Sequence, residues 1–232
     1  MNPYRLLAIG VIAALGPFGF VAATLQAQTQ DAQITRGARI AAQGTAAGAP
    51  PCAQCHAFNG VSDASGAFPR LAGQPARYLT KELHDFASGV RRSALMTPIA
   101  KALSEGDMAD VGTYFASIDA PFLPLKPADA ALVKRGEQLA IVGNAEQQLQ
   151  SCDNCHGPSG IGEPPAIPYL AGQYGQYLTF TLQMWRQGFR KNSPDAMAVV
   201  AHNLSDEDIA AVSAYYQQVR SPLSVEQTQL KE

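Results

Sequence analysis

The chain has 232 residues, with 17 Lys and Arg against 19 Asp and Glu and a formal charge of −2. That balance excludes a nucleic-acid binder held by phosphate neutralisation. Apolar residues make up 47% and charged ones only 16%, which excludes a disordered chain and leaves enough apolar side chains for two cores in units of roughly 100 residues each.

Residues 1–30 carry one charged side chain, Arg5, ahead of the apolar stretch Leu6 to Leu25. A positive start, an apolar middle and a small-residue ending at Ala22-Ala23 or Leu25-Gln26-Ala27 read as an export signal peptide. The stretch is also about as long as a bilayer-spanning helix, so an N-terminal anchor is the alternative. Gly16-Pro17 and Gly19 interrupt it and favour removal. In both cases residues 31–232 are expected outside the cytoplasm, in the periplasm or tethered at the inner membrane.

A first unit, residues 31–119, opens with a predicted helix around Thr35 to Ala42. It continues through Cys52-Ala-Gln-Cys55-His56, Pro69, the turn Leu71-Ala-Gly-Gln74, a helix from about Pro75, Arg91-Arg92 and Met96. Its last helix starts at Ser104, whose hydroxyl can cap the first turn while Asp107 suits the positive helix end. Residues 120–127 hold three prolines and read as an extended, fairly stiff linker. A second unit, residues 128–220, repeats the order: a helix at Ala128 to Val142, Cys152-Asp-Asn-Cys155-His156, Pro168, Leu170-Ala-Gly-Gln173, a helix from about Tyr174, Arg190-Lys191, Met197 and a helix from Ser205. Residues 221–232 form a tail. Most matches fall at an offset of 99 residues, drifting to 100 or 101 elsewhere, which marks a duplication. Almost no period-two strand pattern is present, so the expected fold class is all-α.

The two C-x-x-C-H motifs carry the chemistry. Two thiols three positions apart on a helical turn point to one side and can add across the vinyl groups of a single haem, and the following histidine is then held beneath the iron. A dithiol redox pair needs no histidine at that place, a zinc site would leave both histidines as accidents, and a structural disulfide is open to any exported protein. Two copies in a duplicated, exported, helical chain favour covalent haem c at Cys52, Cys55, Cys152 and Cys155, with His56 and His156 on the irons. A ligating histidine needs an acceptor for its other nitrogen, and the carbonyls of Pro69 and Pro168 stand in matching register; the alternative is that these prolines only start turns.

For the sixth ligands, aligning the repeats on Leu103 and Leu204 superposes Met96 on Met197. Met108 instead aligns with Ile209 and Met184 with Asp85, so neither behaves as a required thioether. Arg91-Arg92 and Arg190-Lys191 occupy equivalent positions before these methionines. One member of each pair is expected near a haem propionate or the seam between halves, a solvated basic turn being the alternative. His84 and His202, paired in the repeat with Gln183 and Lys101, read as solvated, and Trp185, paired with Phe86, as a core aromatic.

Over about residues 33–219 the chain resembles the dihaem cytochromes c, in particular the cytochrome c4 family, on its two C-x-x-C-H motifs, its Pro-x-Leu-Ala-Gly-Gln segments and the methionine downstream of each. The resemblance implies two tandem class I cytochrome c domains related by a pseudo-twofold axis, His/Met ligation and an electron carrier feeding a terminal oxidase. The second half departs by two extra residues between Gly188 and Met197 relative to Gly89 and Met96.

Three functions remain. The first is a free carrier between an upstream dehydrogenase or quinol-oxidising complex and an oxidase. The second is the cytochrome subunit of a dehydrogenase complex. The third is a dihaem peroxidase-like or thiosulfate-oxidising enzyme, which needs an exchangeable position on one iron.

Overall fold

A computed structural model describes residues 17–219. The leader before Pro17, and with it the signal or anchor reading, lies largely outside the described residues, as does the tail. No helix among the described residues is long and apolar enough to cross a membrane.

The first half runs through α1 (Pro17–Gln43), α2 (Ala53–His56), α3 (Ala76–Ser88), α4 (Met96–Lys101) and α5 (Glu105–Ala116). The second follows with α6 (Ala130–Ile141), α7 (Asp153–His156), α8 (Gly175–Arg186), α9 (Met197–Asn203) and α10 (Asp206–Gln218). A 3-10 turn at Pro158–Gly160 and isolated β-bridges accompany these helices, and no β-strand occurs among the described residues. The helix expected over Thr35 to Ala42 begins much earlier, at Pro17, so a unit boundary at residue 30 falls inside α1. The helices α4 and α9, each opening on a methionine, are too short to show a hydrophobic period and were not anticipated.

Ser104 and Ser205 each accept from the backbone N–H of the aspartate three residues on, while that aspartate accepts from the serine N–H, a complete capping box in both halves. Within each half the first helix crosses the last at a glycine. A Cβ at Gly37 would lie 2.1 Å from the Asp110 carbonyl oxygen, and one at Gly136 would lie 2.1 Å from that of Ala211. The neighbouring arginine then pairs across the crossing, but one turn differently in the two halves. Arg36 donates to Asp110 at 2.5 and 2.8 Å. Arg135 donates to Asp208 at 2.9 and 2.6 Å, so the second half makes one aspartate serve as both cap and counterion.

Residues 118–129 have no regular structure, yet they are not a free spacer. The Arg70 guanidinium donates to the Ala120 and Pro121 carbonyls and stacks 4.5 Å over the Phe122 ring. Phe122 in turn fills the space a side chain at Gly172 would need. The connector is thus packed against turns of both halves.

The halves meet through reciprocal contacts, as a pseudo-twofold relation requires. Gln74 Nε2 donates to the Tyr169 carbonyl at 2.9 Å, and Gln173 Nε2 donates to the carbonyl of Arg70, the residue equivalent to Tyr169, at 3.0 Å. Arg91 and Arg190, equivalent to each other, form an antiparallel bridge at the centre of the seam.

Candidate haem sites and the seam between them

In the first half, α2 is one turn long. The Cys52 carbonyl accepts from the His56 N–H at 3.0 Å, which places both thiols and the imidazole on one side of the turn. The segment that follows folds back because Leu71 N–H and Ala72 N–H both donate to the Gly60 carbonyl, at 2.7 and 3.2 Å. Leu170 and Ala171 do the same to Gly160, at 2.7 and 3.1 Å. This fold-back brings Pro69 beside His56, with Nδ1 3.4 Å from the carbonyl oxygen, and Pro168 beside His156 at 2.8 Å.

Both histidines are buried. Burial pushes their pKa values down and the proline carbonyls oppose this only in part, so each ring is held neutral. A neutral imidazole whose Nδ1–H is donated to a carbonyl presents Nε2 as a lone-pair donor. The thiols of Cys52 and Cys152 are pushed up by burial, the latter to about 11. That is opposite to the depressed value a dithiol redox centre uses. All four cysteines are unbridged, and no group of three or more metal-binding side chains occurs among the described residues. The disulfide and zinc readings therefore have no geometry behind them.

A cavity of about 880 Å³ in the first half is walled by Cys52, Cys55, His56, Pro69 and Met96 together with apolar side chains including Leu79, Phe86, Leu103 and Phe115. Arg91 and Arg92 line it too. In the second half, Met197 packs beside Trp185, Leu139, Leu149 and Leu182 in the core facing α9. The Trp185 indole Nε1 is buried there without a hydrogen-bond partner. A deep apolar cavity with two thiols and a neutral imidazole at its wall, and an orphaned N–H in the matching half, are what an amphipathic macrocycle with acidic edges would satisfy. The residues present fit haem c.

The other expected residues are placed as follows. Met108 is buried in the first core and Met184 lines the first-half cavity from across the seam. His84 and His202 are exposed. Arg92 and Lys191 are exposed, while Arg91 is half-buried and Arg190 is only 5% exposed. Each of the latter two stacks on an aromatic ring of its own half: Arg91 4.4 Å over Phe86, Arg190 3.8 Å over Trp185. Each also crosses the seam. Arg91 donates to the Tyr177 hydroxyl at 2.9 Å and to Glu82 on its own side, and Arg190 donates to Glu82 at 3.0 Å. Burial disfavours the Arg91 charge, but Tyr177 and Glu82 hold its pKa above the ordinary range. The same arginines draw the Tyr177 hydroxyl down despite burial.

Glu82, Tyr177, Gln74, Gln173 and Asn192 were missed from the sequence. The signal for most of them was present in the unbroken repetition of Leu-Ala-Gly-Gln and Tyr-x-Thr at offset 99. Asn192 belongs to the two-residue excess of the second half. Its amide donates to Glu82 at 2.9 and 3.1 Å and to Asp85 at 2.8 Å, so the insertion supplies a seam contact.

The family model described as Cytochrome c matches residues 34–119 and 134–220. The chain is 40% identical over 205 residues, 88% of its length and 94% of the relative's, to the thiosulfate dehydrogenase electron acceptor of Stutzerimonas stutzeri (strain A1501). It is 41% identical over 169 residues, 72% and 82% respectively, to cytochrome c4 of Pseudomonas aeruginosa. Among solved structures it resembles reduced recombinant cytochrome c4 from Pseudomonas stutzeri, with TM-score 0.66 and 36% identity over 73% of this chain and 93% of that one. The chain belongs to the cytochrome c family, as a two-domain electron-transfer protein of the cytochrome c4 type with two covalently bound haem c groups.

Proposed function

We propose that Cys52 and Cys55 would hold one haem c and Cys152 and Cys155 the other, with His56 and Met96, and His156 and Met197, as the residues that would ligate the two irons. The haems supply a reversible one-electron iron couple. This chain's residues do the rest. The Pro69 and Pro168 carbonyls fix each imidazole through Nδ1–H, so that Nε2 is the ligand atom. The methionine sulfurs favour the ferrous state. Arg91, Arg190 and the Trp185 indole N–H offer donors to the acidic edges of the groups, while Arg92 and Lys191 are the solvent-facing members of their pairs.

The observation that carries the reading is the repetition: each half has its own thiol pair, carbonyl-anchored buried histidine and helix-opening methionine. With a histidine and a methionine of each half holding one iron, the chain would offer no open position for a substrate and would serve electron transfer. Within that function we assign the chain as the electron acceptor of a thiosulfate-oxidising dehydrogenase in the periplasm, passing electrons on toward a terminal oxidase. Support comes from the relative of that name covered over 94% of its length. It also comes from a thiosulfate dehydrogenase of Marichromatium purpuratum in its as-isolated form, matched with TM-score 0.74 and 35% identity over 81% of this chain and 40% of that one.

The test is anaerobic mixing of oxidised holoprotein with thiosulfate and a purified thiosulfate dehydrogenase. Both haems are expected to be reduced within the turnover time of the enzyme. Reduction by a quinol-oxidising complex instead would replace the donor, and rapid binding of cyanide or carbon monoxide would replace the carrier with an enzyme.

A further inference from the structure

Arg91 and Arg190 meet in an antiparallel bridge, and both side chains turn inward onto Phe86 and Trp185. Successive side chains of extended backbone point to opposite sides, so the residues flanking the bridge turn outward. Their burial follows that rule. Val90 and Phe189 are 46% and 60% exposed, and Arg92 and Lys191 are exposed, while Arg190 is buried and Arg91 half-buried. Antiparallel pairing also sets Val90 opposite Lys191 and Phe189 opposite Arg92. The outer side of the seam is therefore a four-residue face, apolar and cationic in alternation, to which each half contributes one residue of each kind. Neither cation enters an ion pair among the described residues. The seam carboxylates Glu82 and Asp85 are taken by Arg91, Arg190, Asn192 and Lys81, and Asp195, exposed on the loop after Lys191, pairs with neither cation. Arg92 and the exposed Leu95 also lie on the wall of the first-half cavity, so the face runs on to a haem site.

We propose that this outer face, Val90, Arg92, Phe189 and Lys191, is the docking site for a redox protein whose own contact surface presents an apolar centre flanked by carboxylates. It rests on the electron-carrier reading above and adds the place of exchange. Charge complementarity selects the partner. Exposed apolar side chains set among unpaired cations fit a surface that supplies both apolar area and negative charge. A second copy of this chain would set Arg92 and Lys191 against like charges. Two cations also fall short of the clusters of about 4–8 that mark binding to anionic lipid. A partner seated here lies against a wall of the haem cavity, the close approach that electron exchange requires.

The experiment is voltammetry of the holoprotein at gold electrodes coated with a mixed carboxylate- and methyl-terminated alkanethiol film, an ammonium-terminated film serving as the control. The unaltered protein is expected to exchange electrons on the carboxylate film, more slowly as salt rises. Arg92→Glu with Lys191→Glu should slow that exchange on the order of tenfold at low salt. Val90→Ser with Phe189→Ser should slow it at low and high salt alike. Both ferric iron–sulfur bands should persist in the two double variants, which separates a lost docking face from a disturbed haem site. Reduction by a purified thiosulfate dehydrogenase should slow in the same variants. Unchanged rates in both variants, on the film or with the dehydrogenase, would overturn the proposal. So would binding to phosphatidylserine vesicles that the charge reversals abolish, or a dimer in sedimentation velocity that the two serine substitutions dissociate. A dehydrogenase that fails to reduce the unaltered protein removes the donor assigned above and leaves the film to decide this face. Absence of a reversible wave on either film and with a soluble mediator overturns the carrier reading and this proposal with it.

Discussion

Asp208 offers a stability prediction with an internal control. It is fully buried, at 0% exposure, and accepts from Arg135, from the Gln147 amide at 2.8 Å and from the backbone and hydroxyl of Ser205. Burial alone would raise its pKa, but the hydrogen bonds from Gln147, Ser205 and Arg135 win and hold it at about 2, against an ordinary 3.8. A depression of roughly two units corresponds to about 2–3 kcal/mol of folding stability. Because the folded value is the lower one, that stability is fully present above about pH 4 and is lost as pH falls toward 2. Asp208→Asn should therefore cost about 2–3 kcal/mol at pH 7, and the gap from the unaltered protein should close near pH 2. The control is Asp107, the same capping position in the first half. It is half-buried and its carboxylate serves Ser104 alone, the arginine of that half being paired one turn later with Asp110. Asp107→Asn should cost less than about 1 kcal/mol. Urea unfolding of the holoproteins, followed by far-ultraviolet circular dichroism and by haem absorbance, measures both. Equal costs for the two substitutions, or an Asp208→Asn deficit that persists unchanged at pH 2, would refute the reasoning.

Gly136→Ala drives a methyl group into the Ala211 carbonyl, and Gly37→Ala does the same at Asp110; each should cost about 1–3 kcal/mol, read as a lowered thermal midpoint and a poor yield of holoprotein. Met96→Ala and Met197→Ala should each abolish one ferric iron–sulfur charge-transfer band and lower one potential while leaving both haems covalently attached, whereas Met108→Leu and Met184→Leu should keep both bands. Trp185→Phe restores the ring type of the first half but removes the buried orphan N–H; the second-domain potential should shift and the first should not, as read by spectroelectrochemical titration.

How far the sequence went depended on whether a feature was repeated or was written in one half only. The thiol–histidine turns and the caps at Ser104 and Ser205 stand twice in the chain, and a doubled local pattern is readable without coordinates. The short helices opening on Met96 and Met197 were not readable, because six or seven residues give no period; the start of the first is marked only by a local contact, the Ser93 hydroxyl accepting from the Met96 N–H at 3.0 Å. The connector reads in the sequence as an extended, fairly stiff linker, and its packing against both halves was not legible there. Proline content reports backbone stiffness, whereas the clamp on Ala120 and Pro121 comes from Arg70, fifty residues away. Glu82 lay beyond reach for a different reason: it accepts from arginines of both halves, and an unmatched position in a repeat looks like drift until the two halves are seen face to face.

The turn Pro-x-Leu-Ala-Gly-Gln shows why iron site and seam are one construction. Its first residue supplies the carbonyl that orients His56. The next, Arg70, gives its N–H to Gln173 of the other half at 2.9 Å and its side chain to the connector. Leu71 and Ala72 tie the turn to Gly60, the Ala72 carbonyl accepts from the Tyr169 hydroxyl, and Gly73 N–H reaches Phe115 on the last helix at 2.9 Å. Gln74 ends the turn on the Tyr169 carbonyl. Six consecutive residues therefore connect the imidazole of one half to the corresponding turn of the other, with no flexible segment between. A displacement of the seam must move the Pro69 carbonyl, and rotation of the His56 ring must load the seam. The arrangement keeps both imidazole orientations fixed relative to a shared frame; with an iron on each imidazole it would limit the reorganisation met when an electron arrives, and it would make the contact between domains part of the redox site.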